Sequence, residues 1–279
     1  MSLIKFSHTI FAMPFALVGY FLGIHQPGQE FKWKIFLLTL LCMILARSAA
    51  MSFNRLVDLK YDKRNPRTAQ REIPSGKISA NAASLFVMIT SLLFITTTWF
   101  INELVFFLSP VALIVIFGYS FTKRFTSICH FILGLGLALA PIGAYLSVTA
   151  RFDLLPILFS VVVLLWVGGF DIIYALQDDE FDRSQNLHSV PVRLGRRNAL
   201  GLSILVHLLT VLIILFIGYN GSFGWLYWVG AVIFTLMLLY EHLIVKPGDL
   251  SRVNLAFAIL NGIAGLIFGG LVILSLYLN

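Results

Sequence analysis

Nine apolar stretches divide this chain, and each is close to the length of a membrane-spanning helix. The hydrocarbon core of a bilayer is crossed by roughly 20 mostly apolar residues in an α-helix. The pattern therefore predicts an all-α, polytopic membrane protein. The nine predicted spans are 10–25, 35–53, 82–101, 104–120, 128–148, 154–177, 200–218, 224–245 and 255–277.

Composition supports this fold class and excludes two others. The chain has 279 residues, of which 59% are hydrophobic and 12% are charged, whereas a soluble domain has about 25% charged residues. So few charges cannot cover the surface of a soluble protein, and 25 Phe residues are far from the composition of a disordered chain. The two cysteines cannot form a disulfide framework, and Cys/His spacings typical of zinc sites are absent from the sequence.

Basic residues predict the orientation of the spans. Sixteen Lys/Arg residues lie before the first span or in the 2–3, 4–5, 6–7 and 8–9 connections, against three on the opposite side. The positive-inside rule then places the N-terminus in the cytoplasm and, because the number of spans is odd, Asn279 outside. We expect the membrane to be a bacterial-type inner membrane. The charge of +7 is thus mainly a topology signal. Nucleic acid is not an expected partner, because the chain has no separate basic domain.

We expect a single transmembrane domain over residues 1–279, with two polar segments on the cytoplasmic side. The first cap loop covers about residues 54–81, and the second covers about 178–199. Eight of the thirteen acidic residues fall between Asp58 and Glu72 or between Asp171 and Asp182. The acids are therefore concentrated where two spans run into the cap loops.

The first acidic group has the spacing of one helix face. Asn54, Asp58 and Asp62 follow each other at i, i+4 and i+8, which stacks three oxygen-bearing side chains on a helix. Like charges four residues apart repel, so this face is unfavourable unless it binds a cation. Hard oxygen ligands suit Mg²⁺, which commonly shares its coordination sphere with substrate phosphates.

The second acidic group repeats the arrangement. Asp171, Tyr174, Asp178 and Asp182 again share one helical face. Asp171 is expected below the membrane surface, where an acidic residue is costly and usually functional. A solvated helix end could explain one such group by itself. Two groups on the same predicted side favour a metal–phosphate site.

Cations accompany both acidic groups. Arg67 and Arg71 lie four apart in the first cap loop, and Lys123 and Arg124 form the short 4–5 connection. Guanidinium groups bind phosphate or carboxylate bidentately, and lysine supplies a point charge. The positive-inside rule is the competing explanation for these four residues. It does not explain Arg47, which is predicted inside span 2 and needs a partner there.

Together, these motifs resemble those of the UbiA-superfamily intramembrane prenyltransferases, in the same order and spacing over nearly the whole chain. The family pattern NxxxDxxxD matches Asn54, Asp58 and Asp62, and a second DxxxD matches Asp178 and Asp182. Three further matches are RTAQREIPSG at 67–76, YSFTKR at 119–124 and DIIYALQD at 171–178. Each DxxxD is common by itself, but the combination is specific.

The resemblance implies nine transmembrane helices around a central cavity, with Mg²⁺-dependent transfer of a polyprenyl group from polyprenyl diphosphate to an aromatic ring. It implies three groups of site residues. The metal ligands would be Asn54, Asp58, Asp62, Asp178 and Asp182. The diphosphate ligands would be Arg67, Arg71 and Lys123, with Arg124 as a weaker candidate. Residues that orient the acceptor or shield the carbocation would be Arg47, Tyr119, Asp171 and Tyr174.

The chain resembles most the branch described as 4-hydroxybenzoate polyprenyltransferase-like. That branch implies a role in ubiquinone or menaquinone synthesis, with 4-hydroxybenzoate or a dihydroxynaphthoate as the acceptor. Haem- or chlorophyll-type prenyl transfer and a membrane transporter remain as alternatives. A CDP-alcohol phosphotransferase is disfavoured because no DGxxAR-type element is present. Membrane lipid is the only other expected partner, and no obligate protein partner is expected.

Two smaller features of the sequence complete the prediction. Gly19/Gly23 and Gly265/Gly269 have the small-xxx-small spacing of close helix contacts, and we expect these contacts inside the bundle. The histidines in or beside spans, including His130, lack metal-ligand spacing. We expect them to be structural.

Overall fold

The fold is known from a computed structural model that describes residues 12–278. Within that range the regular elements are all helical, and eight helices are long and apolar enough to cross a membrane. A ninth apolar helix, at the start of the described chain, has 12 residues. The predicted all-α polytopic membrane fold is therefore confirmed. The expectations for residues 1–11, which include the first two residues of span 10–25, and for Asn279 lie outside the described residues.

The helices follow the predicted spans in order. Those of the first part of the chain are α1 (Met13–Ile24), α2 (Trp33–Val57), the short α3 (Leu59–Asp62), α4 (Ala80–Trp99), α5 (Glu103–Thr122) and α6 (Cys129–Thr149). Those of the second part are α7 (Leu154–Ala175), the short α8 (Asp179–Ser184), α9 (Val190–Asn220), α10 (Trp225–Ile244) and α11 (Asn261–Tyr277). A 3₁₀ turn at Leu176–Asp178 joins α7 to α8, and a π-helical segment at Leu255–Leu260 precedes α11.

The largest apolar core lies between α1, α6, α7, α9, α10 and α11, which pack both as chain neighbours, such as α6 with α7, and as pairs distant in sequence, such as α1 with α6. Trp166 is its largest fully buried side chain, and the rings of Phe15 and Phe234 lie 5.3 and 5.5 Å from it. Helices α2, α4 and α5 form a second group that joins the first through α5 and α6. Outward-facing apolar side chains, such as Ile114 at 70% exposure, give the bundle a surface suited to lipid.

Close contacts between α1 and its neighbours depend on glycine. A Cβ atom at Gly19 would lie 2.0 Å from the carbonyl oxygen of Pro141 on α6, and one at Gly269 would lie 2.7 Å from Cβ of Pro14. The expectation that these small-residue pairs pack inside the bundle is confirmed. Glycine is required because two helix backbones approach each other within the space of a side chain.

The start of α9 differs from the predicted span. The apolar pattern places the span at 200–218, whereas the helix begins at Val190 within the second cap loop. Ser189 caps it by accepting a hydrogen bond from Val192 N at 3.4 Å, and Gly195, at φ +76°, introduces a kink. Because residues 193–198 are mostly polar, hydropathy alone did not reveal these first turns.

Candidate active site

The first acidic motif keeps its helical register across a break. Helix α2 ends at Val57, Asp58 has non-helical torsion angles, and α3 resumes at Leu59. Backbone hydrogen bonds from Asp58 N to Asn54 O at 2.9 Å and from Asp62 N to Asp58 O at 2.8 Å span the break. The i, i+4, i+8 stacking that the sequence predicts is therefore present. Within it, Asn54 Nδ2 donates to Asp58 Oδ2 at 3.1 Å.

The second acidic motif lies where α7 tightens into the 3₁₀ turn. Asp178 ends that turn, and Asp182 is in α8. Both carboxylates are buried, Asp182 almost completely. The two other acids of this segment have a different partner, because Asp179 accepts from Arg196 on α9 at 2.7 and 2.8 Å and Glu180 accepts from it at 2.9 Å.

Each of the four motif aspartates is paired with one of the four cations that the sequence assigns to diphosphate. The pairs are Arg67 with Asp178, Arg71 with Asp62 at 3.0 Å, Lys123 with Asp182 at 2.7 Å, and Arg124 with Asp58 at 3.7 Å. Three of these pairs join different segments of the chain, since Arg67 is in the first cap loop and Lys123 and Arg124 both follow α5. The structure thus gathers both motifs and their cations at one end of the bundle.

The charges at this end of the bundle influence one another. Burial and then the negative charge of Asp62 raise the pKa of Asp58 to about 6, although Lys123 and Arg124 oppose the change. Burial lowers the pKa of Lys123, but the Asp182 carboxylate outweighs burial and leaves the pKa above its usual value. Burial likewise lowers the pKa of Arg67, and hydrogen bonds to Asp178 and Tyr174 outweigh it. The two acids of the first motif therefore repel each other, and added positive charge would relieve that repulsion.

The donor atoms fit a hard divalent cation. Asn54 and the four motif aspartates offer only oxygen, which Mg²⁺ prefers. Asp182 Oδ2 is buried near Lys123 Nζ but has no aligned hydrogen-bond donor among the described residues. In residues 12–278 no three acidic, His or Cys side chains converge as a ready metal cluster, and the four motif carboxylates are paired with cations. A metal would have to take the place of these ion pairs.

Arg47 and Tyr119 lie deeper, in α2 and α5. They interact electrostatically with each other, and the Asp171 and Asp58 carboxylates also interact electrostatically with Tyr119. Arg47 Nε is buried and has no hydrogen-bond partner within the described chain. A buried guanidinium donor without a partner is costly. It therefore marks a place where a ligand with an acceptor oxygen would be stabilised.

Tyr174 connects the cation site to the rest of the bundle. Its hydroxyl accepts a hydrogen bond from Arg67 Nη1 at 2.8 Å, and the Arg67 guanidinium lies 5.2 Å from its ring centroid. On the other side, the ring stacks on Phe257 of the π-helical segment at 4.2 Å. Tyr174 thus holds the Arg67 guanidinium, which also pairs with Asp178, against the π-helical segment that precedes α11.

The family model of the UbiA prenyltransferase family matches residues 12–274. The match includes both acidic motifs and all of the helices described above except the last three residues of α11, and so covers far more than half of the chain. This chain belongs to the UbiA prenyltransferase family. It is a membrane-embedded enzyme that transfers prenyl groups.

Individual proteins that are similar to this UbiA-family chain support the same assignment. A protein from Vibrio parahaemolyticus named 4-hydroxybenzoate octaprenyltransferase is 30% identical over 217 residues, which are 76% of this chain and 75% of that protein. The apo structure of a UbiA homolog from Aeropyrum pernix K1 superposes with a TM-score of 0.87 at 29% identity, covering 97% and 98% of the two chains. A UbiA homolog from Archaeoglobus fulgidus bound to DMAPP and Mg²⁺ shares the fold, with a TM-score of 0.70 at 22% identity over 95% and 98%. Membership of this enzyme family therefore excludes the transporter alternative.

Two residues of this UbiA-family site were missed by the sequence interpretation. Asn65 Nδ2 donates to Asp178 Oδ1 at 3.0 Å, and its Oδ1 accepts from Arg67 N at 2.9 Å. The Asn-Pro dipeptide at 65–66 signals a turn, but not this cross-loop contact. His130, expected to be structural, contacts Asp171: its Nδ1 lies 2.7 Å from Asp171 Oδ2.

A surface cavity of about 340 Å³ lies beside the site and not within it. It is lined by residues 125–127 of the α5–α6 connection and residues 188, 189, 192 and 193 around the start of α9. None of the motif aspartates lines it. The ion-paired region, not this cavity, is where the chemistry of the family motifs is concentrated.

Proposed function

We propose that this UbiA-family enzyme transfers a polyprenyl group from polyprenyl diphosphate to the ring of a hydroxylated aromatic carboxylate in quinone biosynthesis. The acceptor would be 4-hydroxybenzoate, or a dihydroxynaphthoate in menaquinone synthesis. The observation that carries the proposal is the pairing of all four motif aspartates with the four predicted diphosphate ligands. Acids for a metal and bases for a diphosphate lie together beside an apolar bundle.

The names of similar proteins support the same chemistry. The Vibrio relative is named for octaprenyl transfer to 4-hydroxybenzoate, and the Archaeoglobus homolog of the same fold is bound to DMAPP and Mg²⁺. We therefore propose a divalent cation, with Mg²⁺ as the resident ion. Its ligands would be Asn54, Asp58, Asp62, Asp178 and Asp182, and when bound it would neutralise charge on the leaving diphosphate.

The cations would exchange partners when the donor substrate binds. Guanidinium groups bind phosphate as readily as carboxylate, so Arg67 and Arg71 can turn from Asp178 and Asp62 to diphosphate oxygens. Lys123 and the more weakly paired Arg124 would do the same. The carboxylates released by this exchange become free to hold metal. Binding of metal and binding of diphosphate thus support each other.

The reaction then requires stabilisation of charge on the leaving diphosphate and exclusion of water around the allylic cation. The allylic C–O bond breaks and its electron pair leaves with the diphosphate, where the four cations stabilise it. A pair of ring π electrons of the acceptor forms the new C–C bond to the allylic carbon. The proton on that ring carbon then passes to the released diphosphate, and the C–H electron pair restores the aromatic ring. An apolar bundle protects the allylic cation from water during this step.

Arg47 is the proposed ligand of the acceptor carboxylate. Its buried Nε lacks a partner in the described residues, and a carboxylate oxygen would supply one. Tyr119, Asp171 and Tyr174 would orient the ring, since Tyr119 interacts electrostatically with Arg47 and Asp171, and Tyr174 accepts a hydrogen bond from Arg67. The four residues form the proposed acceptor site, in a single transmembrane domain whose cap loops face the cytoplasm from the inner membrane.

A membrane assay with parallel acceptors tests the proposal. Membranes that contain the enzyme are incubated with Mg²⁺, a labelled polyprenyl diphosphate, and either 4-hydroxybenzoate or a dihydroxynaphthoate. A prenylated product from one of these acceptors is expected. Diphosphate release without either product would refute the proposed acceptor class and retain the donor chemistry. No release from well-folded enzyme would refute both.

A further inference from the structure

We propose that His130 is a positioning residue for Asp171, holding this carboxylate in the proposed acceptor site and tying it to the start of α9. The inference rests on the proposed function, because it assigns His130 a role in acceptor binding. His130 is on α6 and is 2% exposed, and Asp171 is on α7 with a side chain 20% exposed. The His130 ring is thus enclosed by the bundle, whereas the Asp171 carboxylate is partly accessible.

The two ring nitrogens of His130 have different partners. Nδ1 lies 2.7 Å from Asp171 Oδ2, and Nε2 lies 3.2 Å from the backbone N of Val190. A backbone N–H can only donate a hydrogen bond, so Nε2 must accept and carries no proton. The proton of the neutral ring is therefore on Nδ1, which donates it to Asp171. The backbone N–H of Val190 thereby favours the tautomer of His130 in which Nδ1 donates to Asp171.

Asp171 gains a fixed geometry from this contact. One carboxylate oxygen is held by His130, and Asp171 also lies within electrostatic range of Tyr119. Because His130 is almost completely buried between helices, its ring cannot turn freely. The carboxylate is therefore oriented before an acceptor arrives, which lowers the cost of ordering it on binding.

The same histidine secures the second cap loop. Val190 is the first residue of α9, where a backbone N–H has no partner within the helix, and His130 Nε2 provides one. Neighbouring contacts strengthen this attachment, since His188 N donates to Lys123 O at 2.7 Å and Cys129 Sγ lies 3.6 Å from His188 O. The loop that carries Asp182 and the acceptor-side Asp171 are thus joined through one imidazole.

Two substitutions separate these contacts. In His130→Asn, the shorter amide can reach the position of Nδ1 and keep a donor for Asp171, but it loses the acceptor for Val190 N. In His130→Gln, the longer amide can reach the position of Nε2 and accept from Val190 N, but it withdraws the donor from Asp171. His25→Asn is the matched control, because His25 is exposed at the C-terminal end of α1 and contacts only Phe21 O of its own helix and the ring of Tyr277, outside the proposed site.

We expect His130→Gln to raise KM for the aromatic acceptor about tenfold, the effect of losing one hydrogen bond to a charged group. KM for polyprenyl diphosphate should stay within about twofold of wild type, and His130→Asn should restore most of the acceptor KM. The midpoint of thermal unfolding in detergent is measured for every variant. A purely structural role would lower it and change both KM values together.

Two results would overturn the proposal: an unchanged acceptor KM in His130→Gln, or equal losses for both substrates in the two variants. If His130→Gln does not accumulate, His130→Asn decides alone, because a tenfold loss of acceptor affinity despite its retained donor contradicts the assignment. Wild-type enzyme that prenylates no hydroxylated aromatic carboxylate would refute the proposed function instead. The two failures are therefore distinguishable.

Discussion

Arg67 Nε donates a hydrogen bond of 2.9 Å to Asp178 Oδ1, and a second guanidinium nitrogen contacts Asp178 Oδ2. This bidentate pair joins the first cap loop to the end of α7 across 111 residues of sequence. Asn65 reinforces it from the loop and Tyr174 from the helix. Because the same guanidinium fork also fits a phosphate, the pair is well suited to exchange its carboxylate for a diphosphate.

A double-mutant cycle on Arg67→Gln and Asp178→Asn measures that exchange. Without ligands we expect a coupling free energy of about 1–3 kcal/mol in the stability of the detergent-solubilised protein. With Mg²⁺ and an unreactive thiodiphosphate analogue of the prenyl donor, Arg67 and Asp178 have new partners, and the coupling should fall towards zero. A coupling that is the same with and without these ligands would contradict partner exchange.

Removing one acid from either motif should abolish turnover without preventing insertion. We expect Asp58→Asn and Asp178→Asn to lower kcat at least about a hundredfold, since each removes the negative charge of a proposed metal ligand while keeping the side-chain shape. Product formation is measured at equal amounts of folded enzyme in membranes. Asp249→Asn is the control, because Asp249 is exposed in the α10–α11 connection, outside both motifs. Wild-type rates in either motif variant would refute the metal assignment.

Chelation should stop the reaction reversibly. Treatment with EDTA is expected to eliminate prenyl transfer, and excess Mg²⁺ is expected to restore it, because the oxygen ligands of the motifs are suited to this ion. Binding of the thiodiphosphate analogue is measured in the same samples. Its affinity should also fall in EDTA, since metal and diphosphate are expected to bind together. Full activity in chelator would require stabilisation of the leaving group by the four cations alone.

The helices and the acidic motifs could be predicted from sequence because both depend on local spacing. Asn54, Asp58 and Asp62 share a face wherever helical register is kept, and backbone hydrogen bonds keep it even across the break at Asp58. The partners of these acids could not be predicted in the same way. Lys123 follows α5 and Asp182 is in α8, so their contact depends on how the α5–α6 connection meets the second cap loop in three dimensions. No periodicity in the sequence encodes that meeting.

His130 is a second residue whose role depends on tertiary packing and could not be predicted from local spacing. A lone histidine in an apolar run is typical of a structural residue, and the sequence places it 41 positions from Asp171. Its function depends on the contact between α6 and α7 and on the position of Val190. The early start of α9 was missed for a related reason, because most of residues 193–198 are polar and hydropathy does not reveal a helix start that Ser189 caps.

The packing of α6 and α7 around Gly134 gives a prediction about stability. A Cβ atom at Gly134 would lie 2.3 Å from the backbone carbonyl oxygen of Leu164, so the two helices must separate in Gly134→Ala. Backbone cannot move aside as a flexible side chain can, and we expect a loss of roughly 1–3 kcal/mol, typical of overpacking between rigid elements. The thermal unfolding midpoint of the purified protein measures this loss.

Gly136 supplies the matched control on the same helix. No atom lies within 4 Å of a Cβ placed there, so Gly136→Ala meets no clash. Alanine has the higher helix propensity, by about 1 kcal/mol, and Gly136→Ala should therefore be neutral or stabilising. The two substitutions add the same methyl group two residues apart and should change stability in opposite directions. If Gly134→Ala were as stable as Gly136→Ala, α6 and α7 could not approach each other as closely as this fold requires, and the position of Asp171 relative to His130 would have to be revised with them.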